Sequence, residues 1–212
     1  MLLKIKDISY FLASISYLFP LVIFLLKRRI MNSPLFFYVK INILSVILSY
    51  IFLIYYSNSF PIFHFSVFLS TAVLIYYFKI RDLIYLGVYN LLFVFLSVSF
   101  IIDIFLFNGI WGNNFYTTIY SNLCLTLLSL RQLFVILDEE DKRSLFTFEW
   151  SFYITVSILI LNSSSFFFSI FEDRIRSLEN DLFLYTFPIY MFFIFIHNFF
   201  LSIGLWKKQK VY

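Results

Sequence analysis

Apolar residues along this chain fall into seven long runs, and charged residues collect in the short seams between them. The runs cover about residues 8–26, 35–56, 62–78, 83–106, 116–137, 147–170 and 183–206. Their lengths lie near the ~20 residues a helix needs to cross a hydrocarbon core about 30 Å thick. Inside a bilayer the backbone must satisfy its own N–H and C=O groups, so such runs predict helices. The pattern therefore predicts an all-α polytopic membrane protein, a single transmembrane bundle of seven helices over residues 1–212.

The seams carry the expected stop and turn signals. Pro34 stands at the start of the second run, where its missing N–H costs least. Asn58, Ser59 and Pro61 form the turn before the third run, and Asn108, Gly109, Gly112, Asn113 and Asn114 the loop after the fourth. The first run is followed by Lys27, Arg28 and Arg29 and no small-residue cleavage site, so it reads as a retained span, not a signal peptide. Pro20 and Pro188 lie inside runs one and seven, where each removes a backbone hydrogen bond and bends the helix.

Orientation follows from the basic residues. Lys27, Arg28, Arg29, Lys79, Arg81, Lys142, Arg143, Lys207, Lys208 and Lys210 fall on one face of a seven-span topology, against Lys4, Lys6, Arg174 and Arg176 on the other. The positive-inside rule places the C-terminus in the cytoplasm and the N-terminus outside, in a multi-pass protein of the inner (plasma) membrane. Trp111 near an outer helix end and Trp150 and Trp206 near inner ends fit the interfacial aromatic belts.

Within the runs, polar residues recur at intervals of three, four or seven, which gathers them on one side of each helix. Examples are Asn42, Ser45 and Ser49; Ser66, Ser70 and Tyr77; Asn90 and Ser97; and Asn122, Thr126, Ser129 and Gln132. Helix six continues with Glu149, Tyr153, Ser157 and Ser164, and helix seven with Tyr190, His197, Asn198 and Ser202. Facing lipid, these groups would lack partners, so the stripes are expected to point into the bundle. There they serve either as interhelical hydrogen-bonding glue or as the lining of a ligand cavity, for which Asn122, Ser157, His197 and Asn198 are the candidates.

Ionisable residues inside the spans are fewer. Lys40, Arg131 and Glu149 each sit one to two turns inside the cytoplasmic boundary, where they form one ionic cluster or else reach separately to the headgroups. His197 lies closest to the midplane, as a ligand or proton-sensing group or a hydrogen-bonded structural one. Asp103 and His64 fall near outer helix ends, where an interfacial position is the expectation.

Composition narrows the function classes. Hydrophobic residues make up 62% of the 212 and charged ones 13%, about half the usual ~25%, which leaves no room for a soluble catalytic domain. The net charge of +4 comes from residues spread over helix ends, not from one patch, so no nucleic-acid partner is expected. Cys124 is the only cysteine and reads as packing within an apolar helix. No metal-binding helical pair, no nucleophile elbow and no phosphate-cradling loop occurs, so neither a cofactor nor a metal site is expected. The last span has no lysine for a retinal linkage.

Three segments carry a resemblance. Phe148 to Phe168 (F-E-W-S-F-Y-I-T-V-S-I-L-I-L-N-S-S-S-F-F-F), His197 to Lys208 (H-N-F-F-L-S-I-G-L-W-K-K) and Ser16 to Lys27 (S-Y-L-F-P-L-V-I-F-L-L-K) resemble small seven-span membrane proteins of Bacteroidota. That resemblance implies a membrane sensory or signalling partner. Helix three has Phe68, Leu69 and Ser70 where that group carries an acidic residue.

The functional expectation is a non-enzymatic sensory or signalling module with a polar core. Its partners are the lipid bilayer and a cytoplasmic protein docking at Asp138, Glu139, Glu140 and Asp141. A small-solute transporter is the alternative, although no internal repeat is visible. A membrane-embedded lipid-modifying enzyme using Asp103 or His197 is a third.

Overall fold

Pro20 has no N–H to offer the carbonyl of Ser16, and its ring crowds the same carbonyl. In the computed structural model the first span accordingly comes in two pieces, α1 (Leu2–Ser16) and α2 (Leu18–Leu26), divided at Tyr17. Pro188 has no such effect, and the helix that contains it is continuous. The structure describes residues 2–26, 33–81, 83–107, 109–111, 115–140, 150–178 and 180–207.

The remaining helices are α3 (Pro34–Tyr56), α4 (Phe60–Lys79), α5 (Leu86–Ile102), α6 (Phe115–Glu140), α7 (Trp150–Leu178) and α8 (Asn180–Lys207). A π-helical turn, Asp103–Phe107, prolongs α5. No strand occurs among the described residues. Seven helical stretches are long and apolar enough to cross a membrane: Ile8–Leu26, Pro34–Tyr56, Phe60–Lys79, Leu86–Leu106, Phe115–Asp138, Trp150–Ile170 and Thr186–Lys207. These are the seven apolar runs of the sequence, with ends shifted by a few residues.

Large apolar side chains cover the outside. Ile54, Phe105 and Phe134 are 73, 76 and 72% exposed, and Val88, Leu91, Val94, Phe95, Val98 and Ile101 form an exposed flank of α5. A water-soluble monomer does not carry such a surface; facing acyl chains, it has no hydration cost.

The chain divides into two compact units, one of Met1–Arg28 with Thr126–Tyr212 and one of Arg29–Leu125. In the first, α1 and α2 pack on α8, and α7 packs along α8. Gly204 sets the α7–α8 approach: a Cβ there would stand 2.6 Å from Cγ1 of Ile154 and 3.0 Å from the carbonyl oxygen of Trp150. Beyond it Ile154, Ile158, Leu201 and Leu205 are fully buried. At the other end of α8, Ala13, Met191 and Ile194 form a small core with Tyr17, Leu161, Phe187 and Tyr190 against it.

In the second unit α3, α4 and α5 pack in chain order. The first turns of α3 bury Leu35, Phe36, Tyr38 and Val39, and the last turns of α4 bury Leu74, Ile75, Tyr77 and Phe78, as expected of an antiparallel pair. Aromatic rings join α4 to α5, with Phe68 and Phe100 centroids 4.7 Å apart and Phe65 and Phe100 5.6 Å apart.

The connections are pinned by amide side chains. Asn58 Oδ1 accepts from the backbone N–H of Phe60 at 2.8 Å, opening α4, while its Nδ2 donates to the carbonyl of Trp111 at 3.0 Å. The Trp111 ring lies 5.9 Å from that of Tyr56. Ser57 at the end of α3 takes a left-handed conformation (φ 55°), closing the helix by donating its N–H to the Leu53 carbonyl.

Candidate functional site

The polar stripes sort into three groups by where their hydrogen bonds go. The first bond to their own helix. Ser16, Ser70 and Ser99 donate to the carbonyl three residues back, and Asn42, Ser97, Thr155, Asn162 and Ser202 to the one four back. A hydroxyl or amide folded back this way is satisfied without a neighbour and marks no site.

The second group bonds across elements. Nδ1 of His197 lies 2.9 Å from the backbone carbonyl oxygen of Ser157 and 2.8 Å from its Oγ. The carbonyl can only accept, so Nδ1 carries a hydrogen. The Ser157 hydroxyl is then free to donate to the carbonyl of His197 at 3.0 Å. The Nδ1 and Oγ hydrogens thus both have acceptors, and both residues are buried. One residue along, Asn198 Nδ2 donates to Ser16 Oγ at 2.9 Å, tying α8 to α1.

Asp103 belongs to this group too. It lies near the end of its span, as expected, and is completely buried there. The carboxylate accepts from the N–H groups of Tyr116 at 3.0 Å and Thr117 at 2.6 Å, and from the Thr117 hydroxyl. Those are the second and third amides of α6, the donors an N-cap side chain satisfies. A negative group there also meets the positive end of the helix dipole. Tyr120 adds a second tie, donating to the carbonyl of Leu92 at 2.8 Å. His64, also expected at the interface, is buried near the start of α4.

The third group is buried but has no partner. Ser49 Oγ, Ser121 Oγ and Asn122 Nδ2 lie in the second unit, and Thr126 Oγ1, Ser129 Oγ and Gln132 Oε1 in the first. Five of these six residues are on α6. Along that helix Asn122, Thr126 and Ser129 recur at four and three residues, a spacing that keeps side chains on one side. An uncompensated buried polar group costs about 1–3 kcal/mol, so a run of them in one helix is uncommon.

Of the four residues expected to line a ligand cavity, Ser157, His197 and Asn198 thus lie in one unit, bonded to each other or to Ser16. Asn122 lies in the other unit, with its amide nitrogen unpaired. Ser129 and Gln132 carry the same signal as Asn122, and their spacing from it was visible in the sequence.

Of the expected ionic cluster, Glu149 lies outside the described residues. Lys40 turns its ammonium back over the Phe36 ring, 4.3 Å from the centroid, toward the start of α3. Arg131 is exposed on the side of α6 that carries exposed Leu127, Leu130 and Phe134. Both suit side chains reaching for the headgroups. At the end of α8, Lys207 donates to the Tyr153 hydroxyl at 3.0 Å and lies over its ring. The expected docking segment begins at Asp138 near the end of α6, and Asp141 lies outside the described residues.

No group of three His, Cys, Asp or Glu gathers among the described residues. The fold and its apolar exterior define the class: a polytopic helical membrane protein. No protein-family model, no curated protein and no solved structure matches the chain.

Proposed function

We propose that the protein is a non-enzymatic sensory module of the membrane that takes a small uncharged solute against the polar side of α6 between Thr126 and Gln132. The unpartnered buried atoms of that helix carry this reading. They state what the solute must offer. Gln132 Oε1 needs a donor, and the hydroxyls of Thr126 and Ser129 take either a donor or an acceptor. The unpartnered set holds no ion, so a charged solute gains no counter-charge from it, whereas a polyol, sugar or amide answers every atom.

The same helix supports a signalling output. Gln132 stands six residues before Asp138, where the acidic docking segment begins. A solute bound along α6 acts on the rigid element that carries that segment into the cytoplasm under the positive-inside assignment.

The test is thermal unfolding of the detergent-purified protein against a panel of uncharged polyols, sugars and amides. A compound that raises the midpoint of wild type but not of the Ser129→Ala/Gln132→Leu double variant supports the reading. No shift with any compound, or an equal shift in the variant, overturns it. Accumulation of the active compound inside proteoliposomes would instead make the protein a transporter.

A further inference from the structure

Three consecutive serines, Ser163 to Ser165, occupy α7 where α8 presents Thr186, Ile189, Tyr190 and Phe193. The hydroxyls of Ser163 and Ser164 are turned back onto their own helix, at 2.7 Å from the Leu159 carbonyl and 2.8 Å from the Ile160 carbonyl. Small side chains with their polar atoms folded away leave a hollow whose floor presents carbon. Phe167 and Phe168 of α7 and Tyr190 and Phe193 of α8 line it, giving a partly open cleft of about 460 Å³. The walls are firm: Phe168 stacks on Tyr190 with centroids 4.8 Å apart, and Ser165 donates to the Tyr190 hydroxyl.

Depth decides the occupant. Ile160 lies ten residues before the end of its span at Ile170, and Phe193 ten residues after the start of the apolar run near residue 183. The cleft therefore runs from a membrane surface to roughly 15 Å inside it, about the depth of one leaflet of a core about 30 Å thick. Water has too few polar partners there, and the only molecules at hand are lipids. We infer that this α7–α8 cleft holds one acyl chain of a bilayer phospholipid as a bound, not merely surrounding, lipid. The cleft shares no residue with the α6 stripe, and its test does not depend on that reading.

The experiment is native mass spectrometry of the intact protein released from detergent, counting phospholipid adducts. Wild type is expected to retain one phospholipid. Ser164→Phe, which fills the floor, and Phe167→Ala, which removes a wall, should each lower the retained fraction at least fivefold. Phe134→Ala, on the exposed side of α6, should leave it unchanged. If Ser164→Phe does not fold, Phe167→Ala against Phe134→Ala decides the matter. No retained lipid on wild type, or the same retention in the cleft variant and the control, overturns the proposal.

Discussion

A methyl group on Gly204 would stand 2.6 Å from Cγ1 of Ile154, closer than any ordinary carbon contact. Trp150 and Ile154 backbone atoms, at 3.0 and 3.1 Å, close the other sides, so the neighbours cannot simply rotate away. Helices in lipid associate by close packing and interhelical hydrogen bonds, and here the one glycine of α8 supplies the first. Gly204→Ala should therefore destabilise the protein by about 1–3 kcal/mol, the range for overpacking a tight contact. Gly87→Ala is the matched control, because a Cβ there meets nothing within 4 Å. It should be neutral or stabilising by up to ~1 kcal/mol, as expected for replacing a helical glycine. Unfolding in mixed micelles, followed by circular dichroism, measures both.

The pair formed by Ser157 and His197 should show energetic coupling. Ser157→Ala removes the bond to the His197 carbonyl and His197→Ala the bond to the Ser157 carbonyl, while the contact of Ser157 Oγ with His197 Nδ1 is lost in either, so the double variant should cost less than the sum of the two by that one contact. A coupling of roughly 0.6–1.7 kcal/mol is expected from similar pairs in membrane helices. Strict additivity in a double-mutant cycle would contradict the bonding scheme.

Asp103→Ala should cost about 1–3 kcal/mol, because the buried amide of Thr117 loses its acceptor. Thr117→Val keeps that amide and loses only the hydroxyl donor, so it should cost less. Hydrogen exchange of the first turn of α6 should accelerate in Asp103→Ala and hardly change in Thr117→Val.

Gln132→Leu should behave in the opposite way to these. Its Oε1 has no partner to lose, so the substitution removes a desolvated acceptor and should leave the unliganded protein equally or more stable. A loss above about 2 kcal/mol would mean that Gln132 has a partner and would weaken the case for a solute on α6.

The positive-inside asymmetry predicts opposite compartments for the two ends of the chain. Cys124 is buried, so it gives little background in thiol labelling. In intact cells Lys6→Cys should react with a membrane-impermeant maleimide, and Lys208→Cys should react only after permeabilisation. Equal reactivity of both would remove the orientation and, with it, the cytoplasmic placement of Asp138.

The spans were legible because they depend on one local quantity, the length of an apolar run set against the thickness of a bilayer. Ile8–Leu26 and Phe115–Asp138 could be read within a few residues from composition alone. The stripes were legible too, since helical periodicity is a property of neighbouring positions. The role of Asp103 was not. Its partners lie 13 and 14 residues away across a loop, and no local pattern distinguishes a carboxylate that caps the next helix from one that faces water.

The sequence by itself determined that this is a helical membrane protein of seven spans with polar residues gathered on particular helix sides. Only the tertiary structure decided which of those polar groups are spoken for. A serine can satisfy itself on its own turn, as Ser163 does, or reach a residue 40 positions away, as Ser157 does, or find nothing, as Ser129 does. The three look identical in one dimension, because a hydrogen bond depends on distance and angle in space and not on spacing along the chain.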